Sequence, residues 1–224
     1  MSIKAIIFGA TGMVGQAVLL ECIEDGGVES VLLINRRPLE NIKHPKIKEI
    51  IYADFSDFSS LLPEFSKYNA CFFCLGVSAV GMREEEYYKT TFELTIRAAE
   101  AVLKANSSFT FCYVSGSGTD SSEKSKAMWA RIKGKTENAL MAMPFKATYM
   151  FRPGYIQPLK GIKSKVKWYM AVYFVFKPIY FLLKSFKSWI TDTTSLGKAM
   201  INVVRKGCGK KILESRDINE IAVD

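Results

Sequence analysis

Histidine is almost absent: His44 is the only one in 224 residues. It sits in the polar run Lys43-His44-Pro45-Lys46, which reads as a solvated loop, and a catalytic role is not expected of it. Cysteine is sparse as well. The five present are odd in number and scattered, which excludes a disulfide framework. Cys71 and Cys74 have C-x-x-C spacing, but they stand in the apolar run Ala70-Cys71-Phe72-Phe73-Cys74-Leu75. Residues three apart in a strand face opposite sides, so neither a redox pair nor a metal site is expected. A charged lead with a small-residue cleavage site is missing too, since Met1-Ser2-Ile3-Lys4 runs straight into an apolar strand; a cytoplasmic protein is expected. Acid is lacking in one stretch only. From Tyr155 to Thr191 there is no Asp or Glu, while seven lysines fall there, and most of the formal net charge of +9 comes from this stretch. Nor is there an apolar run of the roughly 20 residues a spanning helix needs, because Lys177-Pro178 interrupts the candidate.

What is present is alternation. Ile3–Phe8, Val31–Ile34, Ile47–Tyr52, Ala70–Leu75, Phe109–Val114, Thr148–Phe151 and Lys211–Leu213 read as strands. Between them lie helical patterns at Val14–Glu24, Phe58–Phe65, Glu84–Asn106 and Lys126–Met143. A last helix carries Leu196, Met200, Val203 and Val204 inside, with Thr193 as its expected N-cap. Strands alternating with helices predict an α/β fold, a doubly wound parallel sheet of the Rossmann type in three layers. One domain is expected over 1–224, with a small C-terminal helical lobe and a basic aromatic lobe over 155–192 within it.

Gly9-Ala10-Thr11-Gly12-Met13-Val14-Gly15 follows the first strand and opens the first helix, the context in which such a run binds dinucleotides. Glycine permits the tight turn, the close approach of backbone to pyrophosphate, and close packing of helix on strand. The helix N-terminus then turns amides and positive dipole toward the phosphates. The second strand ends Asn35-Arg36-Arg37. An NAD site places Asp or Glu there for the ribose hydroxyls, whereas arginine accommodates the 2′-phosphate of NADP. Two guanidiniums and no acid predict NADP(H) in preference to NAD(H). Asp54 is a candidate acceptor for the adenine amine, or a cap for the helix that follows. Leu75-Gly76 would let the cofactor pass close to the backbone.

These residues, with Pro38, Phe55, Cys74, Ser115-Gly116-Ser117, Lys133-Gly134 and Phe151-Arg152-Pro153-Gly154, make the chain up to about Ile156 resemble the atypical short-chain dehydrogenase/reductases. The similarity is to the Tat-interacting-oxidoreductase-like branch, labelled NAD-dependent epimerase/dehydratase in bacteria. The resemblance implies a serine after the fifth strand and a Tyr-x-x-x-Lys pair on the next helix, the tyrosine serving as proton donor and the lysine tuning it and holding the nicotinamide ribose. It also implies that Ile156 lies beside the nicotinamide. Here Lys133 is the lysine, and either Ser115 or Ser117 fills the serine role. The tyrosine position holds Trp129, whose indole donates a hydrogen bond but is no proton acid near neutral pH. Tyr155 is the candidate substitute. An oxidoreductase or nucleoside-diphosphate-sugar epimerase-like protein acting on a small or lipophilic substrate is therefore expected, with a non-catalytic NADP(H)-responsive interaction protein as the alternative.

Lys163 to Trp189 interleaves lysine with Trp168, Tyr169, Tyr173, Phe174, Phe176 and further aromatics. Three readings stay open: a substrate lobe, a surface that docks peripherally on an anionic membrane or a lipophilic substrate, and a site for a protein partner. Aromatic and lysine side chains can also stack and hold bases, but no nucleic-acid-binding fold accompanies them, and nucleic acid is not expected.

Overall fold

The structure is a computed structural model that describes residues 2–40, 42–162 and 189–223. Seven parallel strands form one sheet: β1 (Ile3–Phe8), β2 (Val28–Asn35), β3 (Ile47–Ile51), β4 (Ala70–Phe73), β5 (Thr110–Val114), β6 (Ala147–Arg152) and β9 (Ile212–Glu214). Their order is β3-β2-β1-β4-β5-β6-β9. The chain winds outward from β1 in one direction, returns, and winds outward through β4 in the other. That reversal puts a crevice at the carboxyl ends of β1 and β4, where doubly wound sheets bind ligands. Two further short strands, β7 (Tyr155–Gln157) and β8 (Ile190–Asp192), pair in parallel apart from the main sheet.

The period of two along each strand sorts side chains into two cores. Ala5 and Ile7 of β1, Val31 and Leu33 of β2 and Phe72 of β4 join a core on one face. Ile6 and Phe8, Leu32 and Ile34, and Cys71 and Phe73 join a core on the other. The first face is covered by α1 (Met13–Glu24), α6 (Thr193–Lys206) and α7 (Ser215–Ile221), through Val18, Leu19, Leu196, Met200, Val203 and Ile218. The second is covered by the turn Ser59–Leu61, α2 (Leu62–Phe65), α4 (Leu94–Ala105) and α5 (Met128–Ala142), through Phe58, Phe65, Ala98, Val102 and Leu140. The expected three-layer α/β arrangement is thus present. Cys71 and Cys74 pack toward opposite faces, as the alternation requires, and all five cysteines are free. Burial pushes the Cys71 thiol well above its usual range.

Several sequence expectations are corrected. β2 begins three residues before Val31, because Glu29 and Ser30 interrupt the apolar run but not the strand. Glu84–Asn106 is not one regular helix. α3 (Glu84–Tyr88) and α4 are joined through a π-helical turn at Lys89–Glu93. The wider turn rotates the buried stripe, so Thr91, Thr95, Ala98 and Val102 are buried while Phe92 and Ile96 are only partly so. The N-cap of α6 is Asp192 rather than Thr193: the Asp192 carboxylate accepts from Ser195 N at 2.7 Å. The short polar helix α7 and the β7–β8 pair were not foreseen. Lys163 to Ser188, the bulk of the basic aromatic stretch, lies outside the described residues. Among the described residues no helix is long and apolar enough to cross a membrane.

Candidate functional site

The glycine turn sits at the crevice. Gly9 has φ +87°, a left-handed conformation that favours glycine, and a Cβ there would lie 3.0 Å from Cys74 C and Leu75 N at the end of β4. Gly12 N donates to Gly9 O at 2.9 Å, and Gly12 N-caps α1 with extended backbone. A Cβ on Gly15 would come within 2.2 Å of Gly9 O, so helix and turn pack backbone to backbone. No side chain caps the N-terminus of α1 and no acid lies in its first turn. Thr11, Met13 and Val14 are only partly buried. An uncapped helix N-terminus beside a cradle that a Cβ would fill suits the pyrophosphate of a dinucleotide.

The next strand end supplies a second set of groups. Asn35 is 3 % exposed, and its Nδ2 donates to Glu49 Oε1 at 2.7 Å. Its Oδ1 is the single buried side-chain polar atom without a hydrogen-bond partner among the described residues. Arg36 and Arg37 follow, both exposed, and neither forms an ion pair among the described residues. Two exposed guanidiniums following a strand that ends on Asn35 rather than an acid fit a phosphate-bearing ribose. Asp54 is exposed, and hydrogen bonds from the Ser56 hydroxyl and from Ser56 N, the latter at 2.8 Å, hold its carboxyl below the usual carboxylate range. It closes a local turn. It does not cap the Ser59–Leu61 turn, whose N-cap is Phe58; the acid next to that turn is Asp57, which accepts from Ser59 N at 2.9 Å. Leu75 is half-buried and Gly76 exposed at the mouth of β4.

The chemistry-bearing residues gather beyond β5, and their partners divide them. Ser115 is buried, and its Oγ donates to Glu137 Oε1 at 2.5 Å. Ser117 is partly exposed; its backbone N–H donates to Pro153 O at 2.9 Å, and its hydroxyl has no hydrogen-bond partner among the described residues. Lys133 lies on α5, and its Nζ donates to the Ser115 carbonyl. Burial pushes the Lys133 ammonium down to about 8, against the opposing pull of the Glu137 carboxylate one turn further on. Trp129 is one turn before Lys133, its six-membered ring close enough to Gly118 that a Cβ there would meet Cη2 at 3.1 Å. Gly134 is fixed by packing, since a Cβ would fall 1.8 Å from Asp120 O. Tyr155, on β7, donates its hydroxyl to Gln157 Oε1 at 2.9 Å, and Ile156 beside it is half-buried against the first core.

One residue of consequence at this end of the site had escaped the sequence reading. Glu137 is completely buried and accepts from Arg152 Nε at 3.0 and 3.1 Å and from Arg152 Nη2, besides Ser115 Oγ. Arg152 continues to Ser121 Oγ at 2.6 Å. The Arg152-Pro153-Gly154 run was visible, but its partner is 15 residues upstream on another element. The only hint is Glu137 standing four residues after Lys133, on the same face of one helix. Among the described residues no cluster of metal-ligating side chains is present.

A family model described as the NAD dependent epimerase/dehydratase family matches residues 5–127. "Protein FMP52, mitochondrial" of Debaryomyces hansenii is 29 % identical over 177 residues, 74 % of each chain. "Protein HTATIP2" of Rattus norvegicus is 24 % identical over 230 residues, covering 99 % of this chain and 90 % of its own. Among solved structures, gox2253 superposes with a TM-score of 0.70 at 16 % identity, over 98 % of this chain and 75 % of that one. MoeE5 in complex with UDP-glucose and NAD does so with a TM-score of 0.66 at 16 % identity, over 94 % and 75 %. At such identity these two establish the fold alone.

Proposed function

Since this chain belongs to the NAD-dependent epimerase/dehydratase family, as an atypical short-chain dehydrogenase/reductase with a Rossmann fold, we propose that it binds NADP(H) in preference to NAD(H) and acts as an oxidoreductase without the family's tyrosine acid. The observation that carries the preference is the strand end of β2, where the strand closes on Asn35 rather than an acid and the exposed Arg36 and Arg37 form no ion pair among the described residues. Gly9, Gly12 and Gly15, with Thr11, Met13 and Val14, would hold the pyrophosphate, and Leu75 and Gly76 would line its path. Asp54, exposed just after β3, would accept from the adenine amine. NADP(H), when bound, supplies hydride chemistry.

The chain's own residues then take distinct parts. Ser117 orients the substrate oxygen, because the hydroxyl of Ser115 is committed to Glu137. Lys133 holds the nicotinamide ribose, and its ammonium, pushed down to about 8, is the group left at the site that exchanges a proton near neutral pH. Trp129 donates a hydrogen bond only. Tyr155 is tied to Gln157, which argues against it as a substitute acid. Ile156, half-buried against the first core, would lie beside the nicotinamide. The substrate is a small or lipophilic carbonyl. The test is a fluorescence titration with NADPH and NADH. Tighter binding of NADPH, lost in Arg36→Ala or Arg37→Ala, supports the reading, and failure to bind either dinucleotide overturns it.

Trp129 favours a second reading, in which the bound cofactor stabilises a surface for another molecule and no turnover occurs. Absence of NADPH oxidation with any of a panel of aldehydes and ketones, while NADPH still binds, would select it.

A further inference from the structure

Glu49 has no part in the residue set above, yet it is built into the strand end that carries the two arginines. In the β2–β3 register Glu49 stands opposite Leu33. Asn35 is two residues past Leu33 on the same face, so Glu49 and Asn35 are diagonal neighbours. One oxygen, Glu49 Oε1, accepts from Asn35 Nδ2 at 2.7 Å and from Leu39 N at 3.0 Å. The two donors bracket Arg36-Arg37-Pro38, so the carboxylate closes a loop whose free segment is the pair of guanidiniums. Leu39 packs against the first core, which anchors the far end of that loop.

We propose that Glu49 is a specificity-determining residue of the dinucleotide site, holding the Arg36–Arg37 turn in the form that receives the 2′-phosphate. This rests on the NADP(H) reading above. An NAD site uses an acid at the end of the second strand to accept from the ribose hydroxyls. Here the acid stands one strand over, and one of its two oxygens, Oε1, is engaged by the loop. Asn35 is oriented by that bond, because only its amide nitrogen is satisfied while its Oδ1 is buried without a partner. The anion therefore works as a clasp, and the cations it positions do the recognising. A long arginine held at a fixed backbone keeps its planar fork available at lower ordering cost than one on a loose loop.

The test compares dissociation constants for NADPH and NADH in the wild type, Glu49→Ala and Glu49→Gln, with melting temperatures alongside. Glu49→Ala should weaken NADPH binding about tenfold, the loss of one hydrogen-bonded charge anchor, and change NADH binding less than about twofold. Glu49→Gln should retain the preference, because its carbonyl oxygen still accepts from both donors. A general structural defect would weaken both dinucleotides together, so an unchanged NADPH-to-NADH ratio in Glu49→Ala overturns the proposal while leaving the NADP(H) reading intact. A wild type without preference overturns both. Should Glu49→Ala fail to fold, Glu49→Asp reads the same ratio, since it keeps the charge and loses one methylene of reach.

Discussion

Arg152 and Glu137 form an ion pair in which the carboxylate has no exposed surface and the guanidinium side chain is 11 % exposed. The pair ties the end of β6 to the middle of α5, and Ser115 at the end of β5 donates to the same carboxylate. Three elements that define the chemical end of the site are thus locked at one point. Glu214, at the end of β9, lies 3.7 Å from Arg152 Nη1 and adds a weaker fourth link.

Removing one member of such a pair leaves the other charge buried and uncompensated, which typically costs about 3–5 kcal/mol. Arg152→Met and Glu137→Leu should each show a loss of that order in urea unfolding, and the double variant should lose much less than the sum. Additive losses would show that the two side chains are energetically independent, contrary to the geometry.

Glycine at 15 and glycine at 12 should respond differently to alanine. Gly15→Ala places a methyl 2.2 Å from Gly9 O, where backbone must move, whereas at Gly12 the nearest atom is 3.4 Å away and φ is −89°. Gly15→Ala should destabilise by about 1–3 kcal/mol and lose NADPH binding. Gly12→Ala should leave the melting temperature within a few degrees of wild type. Paired thermal melts and titrations check both, and equal behaviour of the two variants would contradict the packing described.

The contrast shows what was legible in the chain. The turn, the strands beside it and the arginines were readable because each is local: a glycine spacing, an apolar run, a pair of like charges. Glu137 was not, because its partner Arg152 lies across a strand–helix contact and a single acid in a helix has no pattern of its own. Asn35 was read as the absence of an acid, while the acid itself was on β3, reachable only through strand register. The π turn at Lys89–Glu93 escaped because apolar spacing in Glu84–Asn106 fits a regular helix, and the buried threonines Thr91 and Thr95 carry no hydrophobic signal. Thr193 and Asp192 both suit an N-cap, and only backbone geometry separates them.

Lys133 gives stability a pH signature. Its ammonium is pushed down to about 8 in the folded chain, while an unfolded lysine titrates near 10.4. Between these values the unfolded chain binds more protons at this site, so stability rises with pH there, and below about 8 the cost of burying the charge is fully present. Against Lys133→Met, the wild type should gain up to about 3 kcal/mol between pH 8 and 10.5. Denaturant unfolding of both proteins at pH 7, 8, 9 and 10 measures the difference. A gap that does not change with pH would mean that Lys133 remains charged throughout.

Trp129 is the departure with the largest chemical consequence. It stands one turn before Lys133 on α5, the spacing that places a phenol beside an ammonium when the residue is tyrosine. Its ring end lies against Gly118, so Trp129→Tyr exchanges a larger aromatic for a smaller one and forces no overpacking. At pH 7, below the value of about 8 for Lys133, the ammonium form predominates and would lower the pKa of the new phenol. A positioned acid contributes about 10²–10⁴-fold. Trp129→Tyr should therefore raise NADPH-dependent reduction of a reactive aldehyde by about 10²-fold over wild type, with Trp129→Phe as the control that gains nothing. A gain in both variants would trace to relief of crowding at Gly118 rather than to a proton. No gain in Trp129→Tyr, with NADPH still bound, would mean that the site lacks more than its acid, and that the cofactor serves binding rather than turnover.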